Sequence, residues 1–464
     1  MTENLQEPMA TQLGNWVHDI SEEVLTTEAT EALKGRLLDS IGCAVGALEG
    51  TPAQQIKQMT EEMGGHPTTT LIGGGKTSPL LASFYNGALV RYLDFNDSYL
   101  AKNETGHPSD NIAPVLAAAE YADISGKEFL TALGIAYQVQ CRLSDVAPVR
   151  YKGFDHTVQG QYGAASGVAR AMGLSKEKIA NAIAISGTGF NSLRVTRTGD
   201  LSNWKGLAYP NTAMGAMFAS ILAQSGITGA KEVFEGNKGF MDSISGPFEM
   251  DWAKEDLERV TDTIMKQFNA EIHSQSSLEG LLELRKNYHL EPEEIKHIHL
   301  ETFDVAYNII GGGEEGGKKK IRTKEEADHS LPYMLAVAYL DGNVMPEQYE
   351  PERIVQNDVQ ELLQKVEVTE NPAYSERFPA EMACRITIEM ENGEKYTIEK
   401  QDYEGFHTRP ASKETLMNKY NKLTKKMNPA LAQNIADVIW DLENRNISEL
   451  TDLLGKISIK DGEV

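Results

Sequence analysis

From about residue 30 to residue 224, apolar positions recur at helical spacing and short polar turns interrupt them, with little of the alternation that marks strands. The spacing predicts helices over 31–48, 80–92, 112–122, 128–143, 159–172, 176–185 and 212–224. Small residues sit inside several of these, as in Gly163-Ala164-Ala165-Ser166-Gly167 and Ala213-Met214-Gly215-Ala216, so helix axes can approach closely. A tightly packed all-helical domain follows.

The pattern changes after about Lys266. Residues 294–303 alternate as a strand, with Ile298 and Leu300 on one face and His297, His299 and Glu301 on the other. The runs 385–389 and 395–399 alternate around Asn392-Gly393, which predicts a hairpin closed by a type I′ turn. Helical spacing returns from Lys413 through Leu454, with Pro429 placed to open a new helix. The expected fold is therefore mainly α: a large all-helical domain (1–266), a smaller α+β domain (267–404) inserted before the C-terminal helices, and a helical segment (405–464) packing back on the first domain.

A chain of 464 residues with 41% hydrophobic content has ample core for such domains. The N-terminus carries no basic and apolar leader pattern, and no apolar run reaches the roughly 18 residues that suggest a membrane span, so a cytoplasmic protein without a membrane partner is expected. Cys43, Cys141 and Cys384 are odd in number and widely spaced, which predicts buried or free thiols. A formal charge of −24 disfavours nucleic acid as a partner, because phosphate binding needs a cationic field. Two glycine-rich stretches lack the context of a phosphate loop. Before Gly75-Lys76-Thr77 the required glycine is Thr70, and the 311–317 run carries Glu314 and Glu315, which would repel a pyrophosphate.

The chemistry-bearing stretch is 94–111, DFNDSYLAKNETGHPSDN. Ser109 or Asp110 is placed to cap the helix that follows, which sets His107 beside unpaired backbone N–H groups. A capped loop with a solvated histidine is the bland alternative. His156 also precedes a helix, Lys205 lies shortly before another, Arg194 and Arg197 precede Lys205, and Lys266 and His273 flank a short polar turn. Three helix N-termini could thus converge on one anionic ligand.

Together, Leu93-Asp94-Phe95-Asn96-Asp97-Ser98, Gly106-His107-Pro108-Ser109, Gly153-Phe154-Asp155-His156, Trp204-Lys205-Gly206 with Asn211, and the run Ala327 to Tyr333 resemble the MmgE/PrpD family from about Thr30 to Gly455. That family contains 2-methylcitrate dehydratases, cis-aconitate decarboxylase and an iminodisuccinate epimerase. The resemblance implies a homodimer, a small di- or tricarboxylate substrate, a lid formed by the smaller domain and a site between the two domains. It implies Asp94, Ser98, His107, His156, Lys205 and Lys266 as site residues. Two departures stand out: the family's DFDDT is DFNDS here, and Glu271, followed by His273, stands where the decarboxylase has a histidine.

On this footing the expected activity is cofactor-independent dehydration of 2-methylcitrate or citrate. His107 would be the base, with Asp94 orienting it or sharing its proton, and His156 the acid. Ser98, Lys205, Lys266, His273 and Arg194 would bind substrate, without a metal. No CxxC pair is present to hold an iron–sulfur cluster. Decarboxylation or epimerisation of a related polycarboxylate, and a non-catalytic helical ligand-binding protein, are the alternatives.

Overall fold

A computed structural model describes residues 7–199 and 201–459. The fold is mainly α with a small α+β region, and the chain forms two compact units. One comprises residues up to 197, 203–263 and 412 onward; the other is built around 264–411.

The first unit contains α1 (Met9–Asp19), α2 (Thr27–Gly46), α3 (Thr51–Met63), α4 (Pro79–Tyr92), α5 (Ile112–Ala122), α6 (Gly126–Val146), α7 (Thr157–Ala171), α8 (Lys176–Gly189) and α9 (Trp204–Gln224). Its centre is the packing of α9 against α4, α7 and α8, and of α7 against α6. Small side chains permit that approach: a Cβ on Gly163 of α7 would sit 2.6 Å from the Ala136 carbonyl oxygen of α6. Any larger residue there must push the two helices apart. The helix at 204 starts two turns earlier than the spacing predicts. Pro210 lies inside it and cannot donate to the carbonyl one turn back, which disguises the first turns as a loop.

Two short hairpins interrupt this unit, β1 (Thr69–Thr70) with β2 (Lys76–Thr77), and β3 (Tyr99–Ala101) with β4 (Glu104–Gly106). The second falls in the stretch read as loop from sequence. Its strands are only three residues long, too short for alternation to declare them.

In the other unit a four-stranded sheet has the order β6-β5-β7-β8, formed by β5 (Ile295–Thr302), β6 (Val366–Glu370), β7 (Cys384–Met390) and β8 (Lys395–Lys400). β5 pairs parallel to β6 and antiparallel to β7. Ile298, Leu300, Ile386 and Ile388 are buried in one core with residues of α10 (Gln275–Tyr288) and α11 (Leu331–Asp341). His297 and His299 share the opposite face of β5, their rings stacked with centroids 6.2 Å apart. The β7–β8 hairpin forms as predicted, but its turn differs. Only Gly393 takes a positive φ, +88°, and Gly393 N–H donates to Met390 while Met390 N–H donates to Glu394. That is a three-residue loop, a type I turn closed by a left-handed glycine, whereas type I′ would need positive φ at Asn392 as well.

The helices α12 (Lys413–Leu423), α13 (Pro429–Trp440) and α14 (Ile447–Leu454) belong to the first unit, and α12 and α13 pack on α2. All three cysteines are buried and unbridged. Among the described residues, no helix is long and apolar enough to cross a membrane.

Candidate active site

Residues 94–111 of the first unit are assembled by the β3–β4 hairpin. Its register pairs Tyr99 with Gly106, which sets the preceding Ser98 opposite the following His107. His107 Nδ1 lies 2.7 Å from the Asp97 carbonyl and 3.1 Å from Ser98 Oγ. A carbonyl only accepts, so Nδ1 carries the ring hydrogen and Nε2 is the atom left to take a proton. His107 sits at the cap of the 3-10 turn Pro108–Asn111, which runs directly into α5.

Asp97, named in the motif but given no role from sequence, braces this turn. Its carboxylate accepts from Ser109 N–H at 2.9 Å and from Tyr137 hydroxyl at 3.0 Å, with Arg36 Nε 3.9 Å away. Burial raises its pKa, and Arg36 opposes that shift. Asp94 follows α4 in the left-handed region at φ +52°, a conformation that costs on the order of 1 kcal/mol for a residue with a Cβ. Arg91 Nη1 holds one carboxylate oxygen at 2.6 Å and Lys205 Nζ the other at 3.2 Å. The residue expected to orient His107 is thus a bridge between two cations, and the grip on His107 Nδ1 comes from Asp97 and Ser98.

His156 ends the loop before α7, and its ring meets that of His107 edge-on with centroids 5.3 Å apart. Asp155 Oδ1 lies 3.1 Å from His156 Nδ1. Burial pushes the imidazole down to about 4; Asp155 opposes this and the Arg197 and Arg91 charges add to it. His156 is therefore neutral at pH 7, and the expected role of imidazolium donor does not fit it. Asp155 itself is held well below the usual carboxylate range: burial works against its charge, and Arg197 and His156 outweigh burial.

Of the two arginines, Arg197 reaches this site, with Nε 2.5 Å from Asp155 Oδ2. Arg194 is half-buried, and its backbone N–H donates to the Gly153 carbonyl. Its side-chain charge acts on Glu104, whose pKa burial raises. Lys205 lies in the first turn of α9, inside the helix.

Lys266 and His273 belong to the second unit and are both buried. Glu271 Oε1 lies 2.8 Å from His273 Nδ1, and its other oxygen accepts the His273 backbone N–H at 2.8 Å. Burial disfavours the Glu271 charge, but His273, His329 and Lys266 outweigh it and hold the carboxyl at about 2. A second imidazole there, His329, has Nδ1 2.5 Å from Asp328 Oδ1, and Lys324 flanks the same carboxylate at 3.0 Å. Asp328 and His329 carry no role in the sequence reading. An Asp-His pair just ahead of a Ser-Leu-Pro helix start was the available signal.

Residues 11–253 match the MmgE/PrpD N-terminal domain and residues 268–444 match the MmgE/PrpD C-terminal domain. The chain belongs to the MmgE/PrpD family. It is 26% identical over 470 residues to the 2-methylcitrate dehydratase of Salmonella typhimurium, covering 93% of this chain and 94% of the relative. It is equally 26% identical over 477 residues to the cis-aconitate decarboxylase of Mus musculus, covering 96% and 93%. The human cis-aconitate decarboxylase is 24% identical over 483 residues, covering 98% and 95%. These relatives are enzymes of two different reactions.

Within this MmgE/PrpD chain, the substitution in DFNDS has a local reason. Asn96 Nδ2 donates to Asp110 Oδ1 at 2.8 Å and to Ser109 at 2.9 Å, while its oxygen accepts from Arg91 at 3.2 Å. An aspartate at 96 has no hydrogen to offer Asp110, whose carboxyl burial pushes up to about 7. The first unit therefore offers two adjacent imidazoles, one with its proton-accepting nitrogen fixed in direction, beside a lysine whose ammonium is held by a carboxylate. That set can accept a proton from an acidic carbon and stabilise negative charge.

Proposed function

We propose that this chain is a hydro-lyase that dehydrates 2-methylcitrate or citrate to the corresponding cis-aconitate, using its own side chains. The carrying observation is the His107–His156 contact at two helix starts, with His107 Nδ1 held by the Asp97 carbonyl; on this reading Nε2 is the base. Proton removal next to a carboxylate leaves an aci-carboxylate that water stabilises poorly; Lys205, steadied by Asp94, supplies the compensating charge. Because His156 is neutral, the acid that protonates the departing hydroxyl is His107 itself, which returns the proton it has taken. Substrate loses one water and His107 ends unchanged. Lys266 and His273 are assigned to substrate carboxylates, and Ser98 to keeping His107 in register.

The relatives named 2-methylcitrate dehydratase support this reading, and the decarboxylase relatives make release of carbon dioxide the competing outcome. The test is parallel incubation with 2-methylcitrate, citrate and cis-aconitate, with products identified by mass spectrometry. A dehydrated, conjugated product from either hydroxy acid is expected. Carbon dioxide released from cis-aconitate overturns the assignment in favour of the decarboxylase.

A further inference from the structure

We propose that Asp155 and Arg197 are positioning residues that fix His156 in one tautomer, with Nδ1–H turned to Asp155 and Nε2 left bare. Nothing in the catalytic assignment above requires either residue. Yet the pair is firmly anchored beside the two imidazoles. Asp155 Oδ1 accepts the Thr157 backbone N–H at 3.1 Å, and Oδ2 accepts from Arg197 Nε at 2.5 Å and Thr196 hydroxyl at 3.2 Å. The two loops that carry them are zipped together: Asp155 N–H donates to the Ser192 carbonyl and Arg194 N–H to that of Gly153, with a bridge between Phe154 and Leu193. This loop pair fixes Arg197 against Asp155, and Asp155 against the ring. His156 Nε2 is fully buried and has no hydrogen-bond partner among the described residues.

A buried imidazole nitrogen without a partner is costly unless it serves a ligand or a proton. Facing the ring are Asp155 on its own turn, Arg197 from the 194–197 turn, His107 from the start of the 108–111 turn, Arg91 from α4 and Tyr209 from α9. Asp155 alone would draw a proton onto the imidazole. Burial of the ring opposes that charge most strongly and Arg197 adds to the opposition, so the ring stays neutral while Asp155 still orients it. The device separates direction from charge: the carboxylate aims the ring, while burial, assisted by the guanidinium, keeps it unprotonated.

The test is nitrogen-15 NMR of histidine-labelled protein, with His156 assigned by H156Q, on wild type, Asp155→Asn, Arg197→Gln and Arg197→Lys. Wild type should show a neutral, Nδ1-protonated ring. R197Q should move its titration upward by about one pH unit or more, and R197K should restore it. D155N should give mixed tautomers, with kcat down by about 30-fold or more and KM within about 3-fold. The kinetic arm rests on the hydro-lyase reading; the spectra need no substrate, so the two can fail separately. A His156 that titrates alike in wild type and R197Q, or keeps its tautomer in D155N, overturns the proposal. So does a loss of activity that follows thermal stability alone.

Discussion

His156 is a buried base kept neutral, and that has a consequence for stability. Between its ordinary value of 6.5 and its folded value of about 4, the unfolded chain binds a proton that the folded chain refuses. Folding stability therefore rises with pH across that window and is fully present above 6.5, with on the order of 3 kcal/mol at stake. Asp110 acts in the opposite sense, because burial lifts its carboxyl to about 7 and the folded state binds the extra proton. The difference between wild type and H156Q isolates the histidine. Urea midpoints measured from pH 4 to 7 should show a steeper rise with pH in wild type than in the variant, and parallel curves would contradict it. Ser98→Ala removes the Ser98 contact on His107 Nδ1 and leaves the Asp97 carbonyl in place. A fall in kcat of about 10-fold, with the fold intact by circular dichroism, is the expected result.

At the scale of elements, the site loop hangs on a distant helix. Lys419 of α12 pairs with Asp39 of α2 at 2.7 Å, donates to the Phe95 carbonyl at 2.7 Å, and lies over the Phe95 ring at 3.7 Å. Burial already raises the Asp39 pKa against the pull of Lys419. Lys419→Met should thus destabilise the protein by about 3–5 kcal/mol, by stranding Asp39, and should lower activity through the loop. A double variant with Asp39→Leu should recover part of the stability, since removing both partners costs less than removing one; denaturant midpoints decide this. Elements of this length were legible where periodicity ran on: α5 and the β7–β8 pair fall where the spacing predicts them. The β3–β4 hairpin and the first turns of α9 were not, because three-residue strands carry no period and Pro210 mimics a stop. The same limit hid the part played by Asp97 and Asp155. Their roles come from hydrogen bonds to Tyr137 and Arg197, about 40 residues away in each case, which no local pattern can show. The histidines and Lys205 were visible because titratable groups at helix starts stand out against an alanine-rich background.

For the whole molecule, the charge of −24 opposes an anionic substrate at long range, while near His107 the cations Arg91 and Lys205 share Asp94 and Arg197 pairs with Asp155. Electrostatic steering is then unfavourable, and salt should help. As the Debye length shrinks to about 8 Å near physiological ionic strength, kcat/KM for the proposed substrates should rise about two-fold or more from its low-salt value. A steep fall instead would point to a net cationic entrance. The most direct test of the dehydration chemistry compares wild type with His107→Ala in single turnovers of 2-methylcitrate, with products read by mass spectrometry. Wild type should yield the dehydrated acid, and the folded variant should yield the same product about 10²- to 10⁴-fold more slowly. Near-normal turnover by the variant, or a wild-type product that has lost carbon dioxide, would contradict it.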